Sequence, residues 1–484
     1  MSILLLVPII LPIVAGIYIL KRNFEERADR EKFVSTAVII NAVLVILLSL
    51  ILRDQQLTLL PIIPNNPITL KIDNLGAMFA SMVGLLWILC IYYSFEYMKH
   101  EGDENRFFGF YVMTFGVMMG ITFSANLVTL YLFYEFLTLA TVPLVLHGDS
   151  IQAKTATRIY IIFSIFGAAL ALCGIGVIAF NGDGSTAFVP GGILHNLTAG
   201  ATVIQIAYLL TFFGFGVKSA VMPFHAWLPI AGVAPTPVSA LLHAVAVVKA
   251  GVFAIARVTY FTIGPDLLRG TTAQNVVLGA CIVTIVYGSA MALMSQHLKR
   301  RLAYSTVSQL SYILFGIALM SGDGYIGGMI HLFGHAIVKI TLFLCAGAII
   351  YKTGREYVWE LKGIGKAMPI TMGVFTVASF ALVGIPPLPG FFSKWFLAKA
   401  VMSSGNMLGF VGLVALGVSA LLTAIYLFSI SANAFIPGAG FDYEAANKDV
   451  SDPNRYMTVP LIILAVAIVL FGLLITPMIN ILTL

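Results

Sequence analysis

Four lysines lie inside stretches otherwise apolar enough to cross a bilayer: Lys218 in AYLLTFFGFGVKSAVMPF, Lys249 in SALLHAVAVVKAGVFAIA, Lys339 in HLFGHAIVKITLFLCAGA and Lys394 in PGFFSKWFLAKAV. Glu135, in LVTLYLFYEFLTLATVPLVL, is stranded in the same way. An ionised side chain at mid-bilayer costs about 2.5 to 3.5 kcal/mol on the lenient insertion scale, so five such groups need partners, water or a part in moving ions. The chemistry open to amines and a carboxylate at that depth is proton transfer. Burial weakens an amine's hold on its proton, and an approaching carboxylate strengthens it. His243, His331 and His335 fall in the same apolar stretches, and an imidazole, with an unperturbed pKa near about 6.5, can pass protons between them. His331, His335 and Lys339 recur every fourth residue and so line one face of a helix.

The elements that position these groups must remain in the membrane. Charged residues make up 10% of the 484 and apolar residues 60%, against about 25% charged in an ordinary soluble protein, leaving too little polar surface to clothe a water-soluble globule. The net charge of +6 does not point to nucleic acid, because the exposed Lys and Arg sit in short loops between apolar runs. The run 3–20 has no preceding basic residue and no A-x-A site after it, and KR follows directly, so it reads as a first span and not as a cleaved signal. Cys90, Cys173, Cys281 and Cys345 are dispersed, with no C-x-x-C pair to hold zinc or an iron–sulfur cluster, and the chain itself is expected to carry no cofactor.

Apolar runs of the length a helix needs to cross about 30 Å of hydrocarbon predict an all-α polytopic membrane protein. Fourteen spans are expected, near 3–20, 33–52, 75–98, 107–123, 126–146, 156–180, 203–222, 237–260, 275–294, 302–320, 326–350, 369–396, 407–431 and 457–482. Odd-numbered loops hold 18 Lys and Arg and even-numbered loops 5, so the positive-inside rule places the odd loops in the cytoplasm and both termini on the outer face of the cytoplasmic membrane. Pro223 interrupts one span and Pro386, Pro387, Pro389 and Gly390 another. Each removes helix hydrogen bonds where only protein or a water-filled cavity can replace them. Pro223 follows Lys218 by five residues and Pro389 precedes Lys394 by five. Paired broken helices in two halves of a chain mark ion or substrate paths, and PFHAW at 223–227 faintly echoes PGFFSKW at 389–395.

Plainer readings cover other polar residues. Lys399 is expected to snorkel to the interface, and Glu96 and His147 lie close enough to span ends for ordinary solvation. A hydrogen bond that merely packs helices would equally explain His225 and His243. H-x-x-x-H at 331 and 335 lacks a nearby acidic or cysteine ligand, which argues against a metal. Gly116 and Gly120 are expected to pack helices.

Four long motifs in order, PFHAWLPIAGVAPTPVSALLHAVAVVKAG, LKRRLAYSTVSQLSYI, HLFGHAIVKITLFLCAGAI and GIPPLPGFFSKW, resemble the antiporter-like subunits of respiratory complex I, of Mrp cation/proton antiporters and of energy-converting membrane-bound hydrogenases. The resemblance runs from about residue 70 to 430. It implies fourteen helices with two inverted five-helix repeats, each with one broken helix, here 107–260 and 275–431, flanked by N-terminal helices in 1–106 and a last helix at 457–482. It also implies that Glu135 and Lys218 face one another as an ion pair, that His243 and Lys249 share the eighth helix, that His331, His335 and Lys339 line the eleventh, and that Lys394 follows the break in the twelfth. The YEF around Glu135, where many members have WE, and the presence of both His243 and Lys249 are departures. Ending at Leu484, the sequence is expected to lie nearer the members without a long lateral arm.

The expected mechanism is a lateral proton relay from Glu135 and Lys218, through Lys249, His243, His331, His335 and Lys339, to Lys394 as exit gate. Moving a charge through 100 mV costs about 2.3 kcal/mol, and one pKa unit is worth about 1.4 kcal/mol, so separating Glu135 from Lys218 is energetically commensurate with pumping. Two settings fit: an ion-translocating subunit driven by a redox module in partner subunits, or a subunit of a non-redox sodium/proton antiporter. Amines favour protons as the relayed ion, since sodium prefers oxygen ligands. Other membrane subunits and lipid are the expected partners, and any redox centre belongs to them.

Overall fold

A computed structural model describes residues 2–22, 24–181, 184–194, 200–438 and 440–482. Helices dominate, because a backbone in lipid must satisfy its own polar groups. After a 3-10 turn at Ser2–Leu6 come α1 (Val7–Lys21) and α2 (Arg27–Ile51). The strands β1 (Gln56–Ile63) and β2 (Asn66–Lys71) follow, then α3 (Asn74–Tyr97), α4 (Glu104–Thr122), α5 (Leu127–Val145), α6 (Ile151–Asn181) and α7 (Ala201–Gly216). The middle of the chain holds the short α8 (Trp227–Ala231) and α9 (Thr236–Ala240), then α10 (Val247–Arg257), bracketed by π-helical turns at Leu241–Val245 and Val258–Ile263. The remainder is α11 (Pro265–Leu268), α12 (Thr272–Met294), α13 (Leu298–Ala318), α14 (Gly322–Thr353), α15 (Ile364–Ala367), α16 (Pro369–Val383), α17 (Pro389–Ser404), α18 (Met407–Phe435), α19 (Tyr443–Asn447), α20 (Arg455–Leu473) and α21 (Ile475–Leu482).

Among the described residues, ten helical stretches are long and apolar enough to cross a membrane: Ser2–Lys21, α2, α3, α5, α6, the stretch Thr236–Ile263, α12, α14, α18 and α20. The chain is a multi-span membrane protein. The other four expected spans differ for physical reasons. The breaks leave α7 and α16 with 16 and 15 residues, while the charged first turns of α4 and α13 and the hydroxyls along α13 dilute their hydropathy.

The antiparallel hairpin β1–β2 is absent from the all-α expectation. It braces the tight link between α4 and α5: Lys71 N–H donates to Phe123 O at 2.7 Å, and Ala125 N–H to Thr69 O at 3.0 Å. Side-chain caps set the helix starts, with Asp73 Oδ1 accepting from Gly76 N–H at 2.8 Å and Asn126 Oδ1 from Thr129 N–H at 2.8 Å. A Cβ at Gly16 would strike α4 and one at Gly116 would strike α1, so small residues let these helices close on each other as expected.

Every residue from Thr236 to Ile263 is buried, and α14 is nearly so. These two stretches form the centre, while peripheral helices turn residues such as Leu139, Ile165, Val414 and Leu421 outward. At both breaks nearby polar groups find partners within the protein, although Pro223, Ile385, Pro386 and Pro387 themselves are exposed. Between α7 and α8, Met222 N–H donates to Thr284 Oγ1 at 3.0 Å and Trp227 Nε1 to Val217 O at 2.7 Å. Pro223 lies in this turn. At the second break Gly384 takes φ +97° and α17 begins at Pro389, a first-turn position where proline's missing donor is no loss. Pro386, Pro387 and Gly390 flank that start.

Candidate functional site

Lys218 sits in the turn after α7, 1% exposed. Its Nζ donates to the backbone carbonyl of Tyr134 and lies 3.4 Å from the centroid of the Tyr134 ring. Glu135 is the next residue on α5, and its Oε1 is buried with no hydrogen-bond partner. The ion pair expected between Glu135 and Lys218 is not formed, because the turn aims the amine at the preceding residue's carbonyl, although the two stay within electrostatic reach.

The centre of the site is assembled by the stretch 236–263 and α14. His243 occupies the first π-helical turn, stacked on Phe343 with ring centroids 4.7 Å apart, and neither ring nitrogen has a partner. Such one-turn π-bulges recur at functional sites. Two turns on, Lys249 Nζ lies 2.9 Å from His335 Nδ1. His335 and His331 stack 6.0 Å apart. His331 is held at both nitrogens, Nδ1 by Ser393 Oγ at 2.8 Å and Nε2 by Gln309 Oε1 at 3.0 Å, so it joins α14 to α17 and α13. The next turn of α14 brings Lys339, whose Nζ donates to Ser305 Oγ at 2.7 Å and Leu302 O at 3.1 Å. Ser305 Oγ in turn meets Tyr426 OH at 2.6 Å.

Lys394 lies beyond. Its Nζ donates to Leu382 O at 3.0 Å and to Val383 O, the freed carbonyls at the C-terminal end of α16, where a helix dipole favours a cation. The same amine is 5.8 Å from the Tyr312 ring, which stacks on His331 at 5.2 Å. Both lysines beside the breaks therefore bond to backbone carbonyls. A cavity of about 10 Å³ lies between His331, His335 and the start of α17, roughly the room one water requires.

The structure thus brings Lys249, His335, His331 and Ser393 into one sequence of contacts, with Lys394 beyond it on the far side of the Tyr312 ring. Lys218 and Glu135 stand apart from it. Next to each lysine, the Ser219 hydroxyl lies 3.5 Å from Val248 O. Among polar residues given plainer readings, Lys399 is mostly exposed beside Asp323, Glu96 is bonded to Lys99 and Tyr351, and His147 Nε2 meets Gly102 O at 3.1 Å.

Several buried polar groups escaped the sequence reading. Lys299, assigned to a cytoplasmic loop, is 9% exposed and donates to Ala234 O at 3.0 Å. Arg257, within the expected span 237–260, is fully buried and bidentate to Asp73 at 2.5 and 2.7 Å. Its signal was available: it stands eight residues after Lys249 on the same apolar stretch. Ser305, Gln309, Tyr312, Ser393 and Tyr426 carry no such signal, since hydroxyls and amides are common in spans.

Broken helices around a buried row of amines and imidazoles define a polytopic helical membrane protein of the ion-path class. The chain belongs to the family described as NADH:quinone oxidoreductase/Mrp antiporter, transmembrane, whose model matches residues 124–423; residues 64–108 match a second model, the N-terminus of complex I chain 5. It is 32% identical over 418 residues to NADH-quinone oxidoreductase subunit N of Desulforudis audaxviator, covering 84% of this chain and 82% of that protein. It is also 32% identical over 436 residues to Na(+)/H(+) antiporter subunit A1 of Staphylococcus haemolyticus, of which it spans 52%. Its fold matches a chain of the archaeal membrane-bound sulfane sulfur reductase with a TM-score of 0.86 at 22% identity, over 100% of this chain and 96% of that one.

Proposed function

We propose that the chain is an ion-translocating, antiporter-like subunit of a larger membrane complex, and that it relays protons along Glu135, Lys218, His243, Lys249, His331, His335, Lys339 and Lys394. The observation that carries this reading is the contact sequence from Lys249 through His335 to His331, with Lys394 beyond the Tyr312 ring, enclosed by the buried stretches 236–263, α13 and α14. In this reading α4, α7, α13 and the α16–α17 pair also cross the membrane, giving fourteen helices, with two inverted five-helix repeats in 107–260 and 275–431. Pro223 and the Pro386, Pro387, Pro389 and Gly390 cluster are their hinges. Both termini then lie on the outer face of the cytoplasmic membrane.

Driving force comes from a redox module in partner subunits, which hold any iron–sulfur or other redox centre. The similarity to a quinone oxidoreductase subunit supports this setting, and the similarity to a sodium/proton antiporter subunit supports the alternative. Donors in the row are nitrogen atoms apart from Glu135, which favours protons over sodium as the relayed ion. The composition of the purified native complex decides between the settings: redox-centre subunits select the first, small membrane subunits alone the second. Lys218→Ala and Lys394→Ala should each abolish driven proton transport in vesicles while the complex still assembles; transport surviving both changes refutes the relay.

A further inference from the structure

Lys249, Phe253 and Arg257 occupy successive turns of α10, so Arg257 stands about 12 Å along the axis from Lys249. The Phe253 ring separates them. It stacks on Phe79 of α3, ring centroids 4.9 Å apart at 22°, and the Arg257 guanidinium lies 4.9 Å from its centroid. Phe188 and Phe261 complete an aromatic sleeve at 4.9 and 4.8 Å. Arg257 is fully buried, whereas the Asp73 side chain that holds it is a quarter exposed. Asp73 borders a cavity of about 280 Å³ that also touches Tyr325 and the Asp54–Lys71 ion pair. Since Asp54 is two-thirds exposed, the cavity is a vestibule open to that face of the molecule.

We propose that the Asp73–Arg257 pair and the Phe79–Phe253 stack form a seal that keeps protons and cations in this vestibule from reaching Lys249. Arginine stays charged at any working pH, so Arg257 sets a fixed positive charge across the approach, a device that repels protons and cations in narrow pores, while the stacked rings exclude water behind it. Asp73 fixes the guanidinium in place, and its own charge faces the vestibule. The inference rests on the relay reading, because a seal matters only if Lys249 holds a proton worth guarding.

The test uses membrane vesicles containing the native complex, with the driving reaction off. A pH step is imposed and its passive decay followed with a pH-sensitive dye. Arg257→Gln and Phe253→Ala should each speed the decay by about tenfold or more, as loss of a close fixed charge in a low-dielectric site implies, and Arg257→Lys should leak less than Arg257→Gln. Adding Lys249→Met to Phe253→Ala should slow the leak again. Vesicles of the two leak variants as tight as wild type overturn the seal, and an undiminished leak without Lys249 overturns its placement behind it. Where Arg257→Gln fails to assemble, Phe253→Ala decides alone. Failure of the relay itself is read with the drive on, so the two results are separable.

Discussion

Lys249 Nζ lies 2.9 Å from His335 Nδ1, and both side chains are shut off from solvent. A hydrogen bond between them needs one donor and one acceptor, so either the amine donates to the imidazole or the ring N–H donates to a neutral amine. Two full positive charges in contact at this depth, with no counterion, would repel strongly. The pair therefore carries at most one excess proton, and a second arriving from either side must displace it.

Replacing His335 should break the row at its middle. In His335→Ala, driven proton transport is expected to fall by about a hundredfold, the scale of a lost proton-transfer group, with the complex assembling normally. The initial rate of pH change in energised vesicles measures this. A variant that keeps half the wild-type rate would remove His335 from the path.

Gly384 controls Lys394. It adopts φ +97°, and a Cβ there would come within 3.0 Å of Lys394 Nζ. Gly384→Ala should cost about 1 to 2 kcal/mol of stability, from an alanine forced into left-handed backbone, and should push the amine off the α16 carbonyls. Transport is expected to drop almost as far as in Lys394→Ala, whereas Gly373→Ala, where a Cβ meets open space, should do nothing. Melting temperature and transport rate are compared across the three.

The hydroxyls behind Lys339 give a graded test. Ser305→Ala removes the side-chain acceptor at 2.7 Å, leaving Lys339 with the Leu302 carbonyl alone. A lost bond to a charged group is worth about 1.5 to 3 kcal/mol, so transport should fall by about tenfold or more. Tyr426→Phe, one bond further away, should have a smaller effect. Equal effects would mean that the two hydroxyls serve packing and not the amine.

Much of this arrangement was legible in the sequence because hydropathy and proline chemistry are local. A lysine inside an apolar run, or a proline at membrane depth, declares itself without knowledge of its neighbours. Lys218, Lys249, Lys339 and Lys394 were visible for that reason, as were the breaks at Pro223 and Pro389. Orientation was not. The aim of Lys218 depends on the turn 217–220, where Ala220 takes φ +55°, and no pattern announces that an alanine will adopt it. Lys299 was hidden by lying near a span end, where basic residues normally meet water. The hairpin β1–β2 was hidden by its brevity, although Pro61 to Pro67 around Asn65 and Asn66 carries turn chemistry between two apolar runs.

Asp73 offers a pH-dependent test outside the spans. Burial alone would raise its carboxyl, but the Arg257 charge, the bonds to Arg257 and the Gly76 N–H hold it below the ordinary value of 3.8. A carboxyl depressed in the folded state contributes stability that is fully present above its unfolded pKa and is lost as pH falls through the folded one. Asp73→Asn keeps the cap on α3, since asparagine also accepts from Gly76 N–H, and removes the charge opposite Arg257 together with the Oδ2 acceptor for its Nη1. Losing one partner of so buried a pair should cost about 3 kcal/mol at neutral pH. In detergent melts the wild-type advantage over Asp73→Asn should be constant from pH 7 down to about 4, the unperturbed Asp range, and shrink below that. An advantage that instead grew with acidification, or that was absent at pH 7, would show that Asp73 is not ionised against Arg257.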